Sequence, residues 1–306
     1  MFVSYHPDYV IPLPEGHAFP MRKYELLHAC LLREGLLSPA EVHAPEEAAW
    51  DAVALVHGSG YLDRLRSGTL TEAEVRRIGM PWSTALVRRA RLAVQGTINA
   101  AVAAIESVDR IGANLAGGTH HALPDGGEGY CTLNDVAIAI RWLQREGYIR
   151  RALVCDLDVH HGNGTAVVFA GDDAVCTFSM HGERNFPLRK PPSTLDVPLA
   201  DGTGDGAYLD LLRQHLPRLM DIHVPDIVFY LAGVDVVAGD RFGRLQLTES
   251  GLASRDRFVI ETVAGRSTPL CLVLAGGYAP TAQRTAELHA HAHREARRWL
   301  RSGCQR

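Results

Sequence analysis

The sequence predicts an α/β domain built on a parallel sheet, and three features indicate this fold class. Continuous apolar runs such as residues 226–232 are typical of strands that are buried on both faces. Helical segments alternate with these runs through the second half of the chain, as they do in βαβ units. Polar clusters follow several of the runs, at the strand ends where open α/β sheets place their sites. We therefore expect right-handed crossovers and helices on both faces of the sheet.

The individual elements follow from the same patterns. Apolar runs bounded by polar or turn residues predict strands near residues 2–5, 110–116, 151–157, 174–179, 226–232 and 269–275. Apolar residues at helical spacing predict helices at residues 84–107, 133–146, 208–219, 250–264 and 281–300. Asn134, Asp135 and Thr248 stand where helix caps are expected, and Gly147 stands where a helix should end. The 306 residues contain no Pro/Ser/Gly-rich linker and no internal repeat, so we expect one domain over residues 1–306.

Composition argues against several classes of protein. A net charge of −4 and a pI near 6.4 disfavour a nucleic-acid partner. The chain starts without a basic segment followed by an apolar one, and no apolar run is long enough to span a membrane, so we expect a cytoplasmic protein. The cysteines lack paired spacing and are expected to be small buried side chains: Cys30, Cys131, Cys155, Cys176, Cys271 and Cys304. A C-terminal group of arginines is expected on a solvated helix face: Arg294, Arg297, Arg298 and Arg301.

The most informative stretch follows the apolar run that ends at Cys155. Asp156, Asp158 and His160 alternate with apolar residues, so an extended chain would turn all three to one side. Two carboxylates and an imidazole in one place favour a divalent metal such as zinc. The alternative is a strand end whose polar residues cap the next helix.

Two other strand ends carry polar groups of the same kind. His120 and His121 follow Gly117 and Gly118, a glycine pair that lets the backbone approach a site closely. The apolar run 226–232 leads to Asp235. Polar clusters at three strand ends favour a shared site over three unrelated caps.

Four segments give the chain a family resemblance: residues 117–121, 156–164, 233–243 and 274–278. In this order they resemble the zinc-dependent histone deacetylase family, and most of all its class IV branch. The resemblance runs from about residue 20 to residue 300. It implies the three-layer arginase/deacetylase fold, with a mostly parallel eight-stranded central sheet and helices on both faces. Two strands beyond the six predicted above should therefore lie at the sheet edges.

The resemblance also implies the parts of an active site. Asp158, His160 and Asp235 would bind one zinc ion per chain. His121 would be the general base, with His120 beside Asp156 supporting it electrostatically. Further residues carry implied roles and are listed together: Tyr278 as oxyanion donor, Asn163 as partner of His121 in place of the more usual aspartate, and Gly129, Tyr130, Phe186, Gly276 and Gly277 as the substrate channel.

Monovalent cations are implied as well. A structural potassium or sodium ion would lie beside the zinc, held by Asp156, Ser179 and carbonyls of Asp158, His160 and Met180. A second monovalent site would use the carbonyls of Phe169, Asp172 and Val175. Carbonyl ligands leave no trace in a sequence, so these sites are implied by the resemblance alone.

The implied activity is removal of an acyl group from the side-chain amine of lysine, by metal-activated water. The substrate would be an acyl-lysine protein or peptide, or an acylated small amine, and the class IV resemblance favours long acyl chains. The alternatives are an acetylpolyamine or other small-molecule amidohydrolase, and a catalytically weak acyl-binding pseudoenzyme. A binuclear ureohydrolase is disfavoured because Gly162 stands where a further aspartate is needed. His289 and His293 share a helix face and suggest metal trafficking, although a surface helix is the commoner explanation.

Overall fold

The structure is a computed structural model that describes residues 1–303. Its strands are β1 (Phe2–Ser4), β2 (Val42–His43), β3 (Ile111–Asn114), β4 (Ala152–Asp156), β5 (Val175–Gly182), β6 (Leu195–Leu199), β7 (Ile227–Leu231) and β8 (Leu270–Val273). Its helices are α1 (Lys23–Arg33), α2 (Trp50–Val53), α3 (Ser59–Ser67), α4 (Glu72–Ile78), α5 (Thr84–Glu106), α6 (Asp135–Arg145), α7 (Asn163–Val168), α8 (Asp205–His223), α9 (Glu249–Ala264) and α10 (Ala282–Gly303). Short 3-10 turns occur at Pro7–Tyr9 and Pro39–Glu41.

The strands form one eight-stranded sheet in the order β2-β1-β3-β8-β7-β4-β5-β6. Every neighbouring pair is parallel, so the sheet is all-parallel rather than mostly parallel. The six strands predicted from apolar runs are all present. The two that were missed, β2 and β6, are the two edges, as the resemblance implied. An edge strand pairs on one side only, and β2 is two residues long while β6 contains Pro198, so neither shows a continuous apolar run.

The sheet separates two apolar layers, which explains why its strands are apolar on both faces. In β4, Leu153 and Cys155 pack into one layer, and Ala152 and Val154 pack into the other. Helices α5 and α6 cover one side, whereas α8, α9, α10 and α1 follow one another across the other. The described cysteines are free and buried as predicted, and Cys304 lies outside the described residues.

The end of the chain differs from its prediction. Two arginines of α10 contact the segment that follows α1: Arg294 binds Glu34 at 2.8 Å, and Arg297 binds Glu41 and the carbonyl of Leu36. The expectation of a solvated arginine face was therefore wrong for Arg297, which is 14% exposed, whereas Arg294 is still 31% exposed. The four arginines of α10 differ in exposure because the helix packs on one side and turns its other side to water. Arg298 lies on the outer side and is 56% exposed.

The surface location expected for His289 and His293 was also wrong. Both are buried at 1% exposure, and none of their ring nitrogens has a hydrogen-bond partner among residues 1–303. His291 stands two residues from each of them and so lies on a different side of α10, where it binds Glu249 at 2.8 Å. Burial leaves the His289/His293 pair without the exposed face that metal trafficking would need. Within residues 1–303, every helix is too short or too polar to cross a membrane.

Candidate active site

The sequence-predicted site residues follow four strands that are neighbours in the sheet. Strands β3, β8, β7 and β4 lie side by side at its centre, and all of them point the same way. The loops after them carry the histidine pair, the Gly276–Tyr278 segment, Asp235 and the Asp158–His160 segment. Residues far apart in the sequence therefore meet at one edge of the sheet.

Asp158, His160 and Asp235 form a buried cluster whose ligand atoms all lie within 4.8 Å of one another. His160 Nδ1 lies 3.0 Å from Asp158 Oδ1 and 3.2 Å from Asp235 Oδ2. Strand β4 ends at Asp156, so the loop, and not the strand alternation that we expected, brings Asp158 and His160 together. Asp156 belongs to a different set of contacts and binds His120.

Three observations show that this cluster fits a divalent cation. Asp235 Oδ2 is buried and receives no well-directed hydrogen bond within the described chain. A Cβ at position 276 would lie 2.0 Å from Asp235 Oδ2 and 2.6 Å from Asp158 Oδ2, so Gly276 leaves open the space that the carboxylates face. Burial and the neighbouring Asp158 raise the pKa of Asp235, because two buried carboxylates need a positive charge or a proton between them. One imidazole and two carboxylates are a zinc-type ligand set with room for another ligand.

A buried arginine holds the backbone that carries this cluster. Arg255 is fully buried and donates through Nη1 to the carbonyls of Gly233, at 2.6 Å, and Leu157, at 3.2 Å. It also pairs with the buried Asp256 at 2.8 Å. The guanidinium thereby fixes the backbone just before both carboxylate ligands.

The tandem histidines differ in their partners and in their charge. His120 Nδ1 lies 2.6 Å from Asp156 Oδ2, and burial alone would lower its pKa, but Asp156 and Asp158 raise it to about 9. His121 Nδ1 lies 2.7 Å from Asn163 Oδ1. Burial, reinforced by His120, lowers the pKa of His121 well below its ordinary value. One imidazole is therefore cationic and the other neutral at pH 7, with their Nε2 atoms 3.2 Å apart.

The structure adds Glu128, which sequence reasoning missed. Asn163 Nδ2 donates to Glu128 Oε2 at 2.7 Å, while Asn163 Oδ1 faces His121. This contact fixes the orientation of the amide, since its nitrogen is committed to the carboxylate. Glu128 stands in a loop with no motif of its own, so its sequence position carries no signal of this contact.

The loop before the histidines comes close to a neighbouring segment of backbone, as its glycine pair predicts. Gly117 and Gly118 have φ of +81° and +74°, and a Cβ on Gly118 would lie 2.6 Å from the amide nitrogen of Ala275. Asp135 accepts from the backbone of Gly118 at 3.2 Å and of Thr119 at 2.8 Å. Asn134, rather than Asp135, is the N-cap of α6. The first-turn aspartate instead ties α6 to the histidine loop.

A cavity of about 530 Å³ opens from the cluster towards solvent. Tyr278 lies on its wall, 8% exposed, and its ring is near those of Phe242, at 4.8 Å, and His160, at 6.4 Å. The predicted channel residues Gly129, Tyr130 and Phe186 also line the cavity. Gly277 does not, because a Cβ there would meet Val234 and His289 of the core instead. Phe242 was not anticipated as a wall residue.

The cation ligands implied beside the zinc site are also close together. Asp156 and Ser179 are partners in the register of β4 and β5, and Met180 follows in β5. Ser179 Oγ lies 2.9 Å from His181 Nδ1. The second implied site lies in the turn from Phe169 to Val175. There the carbonyl of Phe169 accepts a hydrogen bond from the amide of Asp172, and the carbonyl of Asp172 accepts one from the amide of Val175. Both monovalent sites stay predictions.

The family of the chain follows from comparison with known proteins. The histone deacetylase domain matches residues 17–293. The chain belongs to the histone deacetylase family, and it is accordingly a deacetylase-type hydrolase acting on amides. The placement in the class IV branch stays a prediction.

Individual relatives agree with this family. An uncharacterized protein of Picosynechococcus sp. is 47% identical over 96% of this chain and 98% of its own length. Histone deacetylase 1 of Homo sapiens is 30% identical over 86% of the chain, which spans only 58% of that protein. Histone deacetylase HDAC1 of Drosophila melanogaster is 30% identical over 86% of the chain and 53% of its own length. The crystal structure of the HDA15 HD domain shares the fold, with a TM-score of 0.81 at 21% identity over 97% of this chain and 90% of that one.

Proposed function

We propose that the protein is a zinc-dependent deacylase that hydrolyses the side-chain amide of acyl-lysine. The observation that carries this proposal is the pair of unlike histidines beside the Asp158–His160–Asp235 cluster, at the inner end of an aromatic-lined cavity. When bound by those three side chains, zinc would polarise a water molecule and the scissile carbonyl. The other catalytic groups belong to the chain itself.

His121 is the general base in this proposal. Asn163 offers it only an acceptor oxygen, because the amide nitrogen is bonded to Glu128, so His121 carries its proton on Nδ1. Nε2 is then the unprotonated nitrogen of His121, it faces His120 Nε2 at 3.2 Å, and it can take a proton from the attacking water and pass it to the leaving amine. The lowered pKa of His121 keeps this nitrogen unprotonated at neutral pH.

His120 and Tyr278 stabilise the charge that develops during hydrolysis. His120, paired with Asp156, brings a positive charge to within 3.2 Å of the base. Burial and the nearby Asp235 raise the pKa of Tyr278 well above its ordinary value, so its hydroxyl stays protonated. Such a hydroxyl can donate to the oxygen of the scissile amide.

The space around the cluster favours a short acyl group. The cavity between Tyr278, His120 and Gly276 holds about 30 Å³, which is the scale of one or two water molecules. We therefore propose acetyl as the preferred group, in place of the long chain that the class IV resemblance implied. Zinc and the acyl-lysine substrate are parts of the same proposal.

The test measures kcat/KM of the zinc-loaded protein on one lysine peptide carrying acetyl, butyryl, octanoyl or myristoyl. We expect acetyl-lysine to be hydrolysed best. His121→Ala and Tyr278→Phe should each lower the rate by about 10²–10³ or more, with zinc content and melting temperature retained. Tyr148→Phe, on the surface at 39% exposure, is the matched control and should be as active as the unchanged protein.

Two outcomes would contradict separate parts of the proposal. If either site variant kept more than about a tenth of the rate, the role of that residue would be refuted. If kcat/KM rose from acetyl to myristoyl, the short-acyl preference would be refuted and the hydrolase mechanism would stand.

A further inference from the structure

The mouth of the active-site cavity is ringed by arginines. Four of its lining residues are cationic, namely Arg76, Arg77, Arg184 and Arg244. Glu128 is the one carboxylate among the lining residues, and it is already bonded to Asn163. The mouth is thus positive on a chain whose net charge is −4.

Carboxylates outside the cavity neutralise this ring only in part. Arg184 and Arg244 share a single partner, Asp201, at 3.8 and 3.3 Å. Arg76 has an exposed contact with Glu72 at 3.3 Å, and such surface pairs are weak. Arg77 has no carboxylate within ion-pair distance among residues 1–303. All four arginines are exposed, and the side chains of Arg76, Arg184 and Arg244 are 71%, 74% and 55% exposed.

Three segments that line the opening supply the charges. Arg76 and Arg77 lie in the last turn of α4, Arg184 lies in the loop after β5, and Arg244 lies in the loop after β7. A chain entering the cavity must therefore pass these positive groups. A lysine- or arginine-rich segment would be repelled there, and so would a polyamine, whereas carboxylates on either side of the acylated lysine would find guanidinium groups to bind.

We propose that the preferred substrate is an acyl-lysine within an acidic peptide segment. This inference rests on the proposed deacylase function and names its substrate class. The arginines act on binding and on the rate of encounter, while the chemistry is carried by the residues described above. Electrostatic steering of this kind raises association rates by about 10–10³, and salt weakens it.

The experiment compares three peptides of equal length around one central acetyl-lysine, flanked by Asp/Glu, by Asn/Gln or by Lys/Arg. The zinc-loaded protein should give the highest kcat/KM on the acidic peptide and the lowest on the basic one. We expect the two to differ about tenfold or more at low ionic strength, with a smaller ratio at about 0.5 M salt. N-acetylated polyamine is measured alongside and should be a poor substrate.

Variants of the mouth should change this order. Arg77→Gln combined with Arg244→Gln should lower kcat/KM on the acidic peptide, raise it on the basic peptide, and so bring their ratio towards one. Both side chains line the mouth from exposed positions, so their loss should leave the fold intact. Arg213→Gln combined with Arg218→Gln removes the same two charges from exposed positions of α8 and should leave the ratio unchanged.

The possible results distinguish the proposed substrate class from the proposed deacylase function. Turnover of the uncharged peptide with no preference for acidic flanks, or with better turnover of the basic peptide or polyamine, would overturn the substrate class and leave the deacylase function in place. A preference that survives in the double variant would overturn the role of the arginines. Failure to hydrolyse any acyl-lysine peptide would remove the deacylase function and this inference with it.

Discussion

Gly276→Ala should remove metal binding while leaving the fold intact. The added Cβ would lie 2.0 Å from Asp235 Oδ2, and ordinary contact needs about 3.3 Å or more, so the carboxylate must move by about 1 Å. Ligand distances at a zinc site tolerate only about 0.2 Å. We expect zinc affinity to fall by about 100-fold or more, because even the loss of a residue that only orients a ligand costs about 10–100-fold.

The assay measures thermal and urea stability in buffers of fixed free zinc. At a free zinc concentration of about 100 times the Kd of the unchanged protein, binding adds about 2.7 kcal/mol to its free energy of unfolding. The variant should gain about 0.4 kcal/mol or less under the same conditions. Gly206→Ala is the control, since nothing lies within 4 Å of a Cβ there. Full zinc stabilisation of Gly276→Ala would refute the assignment of this cluster as the metal site.

Substitutions at three other positions test the surroundings of the site. Asn163→Asp places a carboxylate on His121 and should raise the pKa of the base, so the acidic limb of the kcat/KM–pH profile should move up by about 1–3 pH units. Combining it with Glu128→Gln should keep that shift while relieving the repulsion between the two carboxylates, and an unmoved or lower limb would contradict the pairing. Arg255→Met should lower the free energy of unfolding in urea by about 3–5 kcal/mol, because Asp256 would be left as a buried, unpaired charge. A loss below about 1 kcal/mol would show that this ion pair does not hold the cluster in place.

The sequence predicted the central strands well, for a physical reason. A strand that is buried on both faces is apolar along its length, as β7 is throughout and β4 is up to Cys155, before Asp156 at its end. The edge strands β2 and β6 are partly exposed and short or interrupted by proline, so local sequence does not distinguish them from loops. Helices α1 to α4 and α7 were also missed, since most of their stability comes from packing against the rest of the molecule.

The site was predictable where one residue type is needed for chemistry, and less so where geometry decides. The Asp158–His160–Asp235 cluster and the histidine pair come from short motifs, and the structure places the members of each close together, while their roles stay predictions. Glu128 could not be found, because a contact made across 35 positions depends on how two loops meet. The burial of His289 and His293 was missed for a similar reason: periodicity shows that they share a face, but not which face is covered.

The two buried histidines of α10 make the protein sensitive to acid. Burial lowers the pKa of His293 to about 3 and that of His289 well below its ordinary value, whereas both would return to about 6.5 on unfolding. The unfolded chain therefore binds more protons than the folded one below about pH 6.5. For each unit that the pH falls from there towards the folded-state pKa, each histidine lowers the free energy of unfolding by up to about 1.4 kcal/mol. His289 Nε2 lies next to Gly277, so protonation of this imidazole would place a charge directly behind the loop that carries Tyr278. The core packing of one helix thus sets a lower limit on the pH at which the folded site can persist.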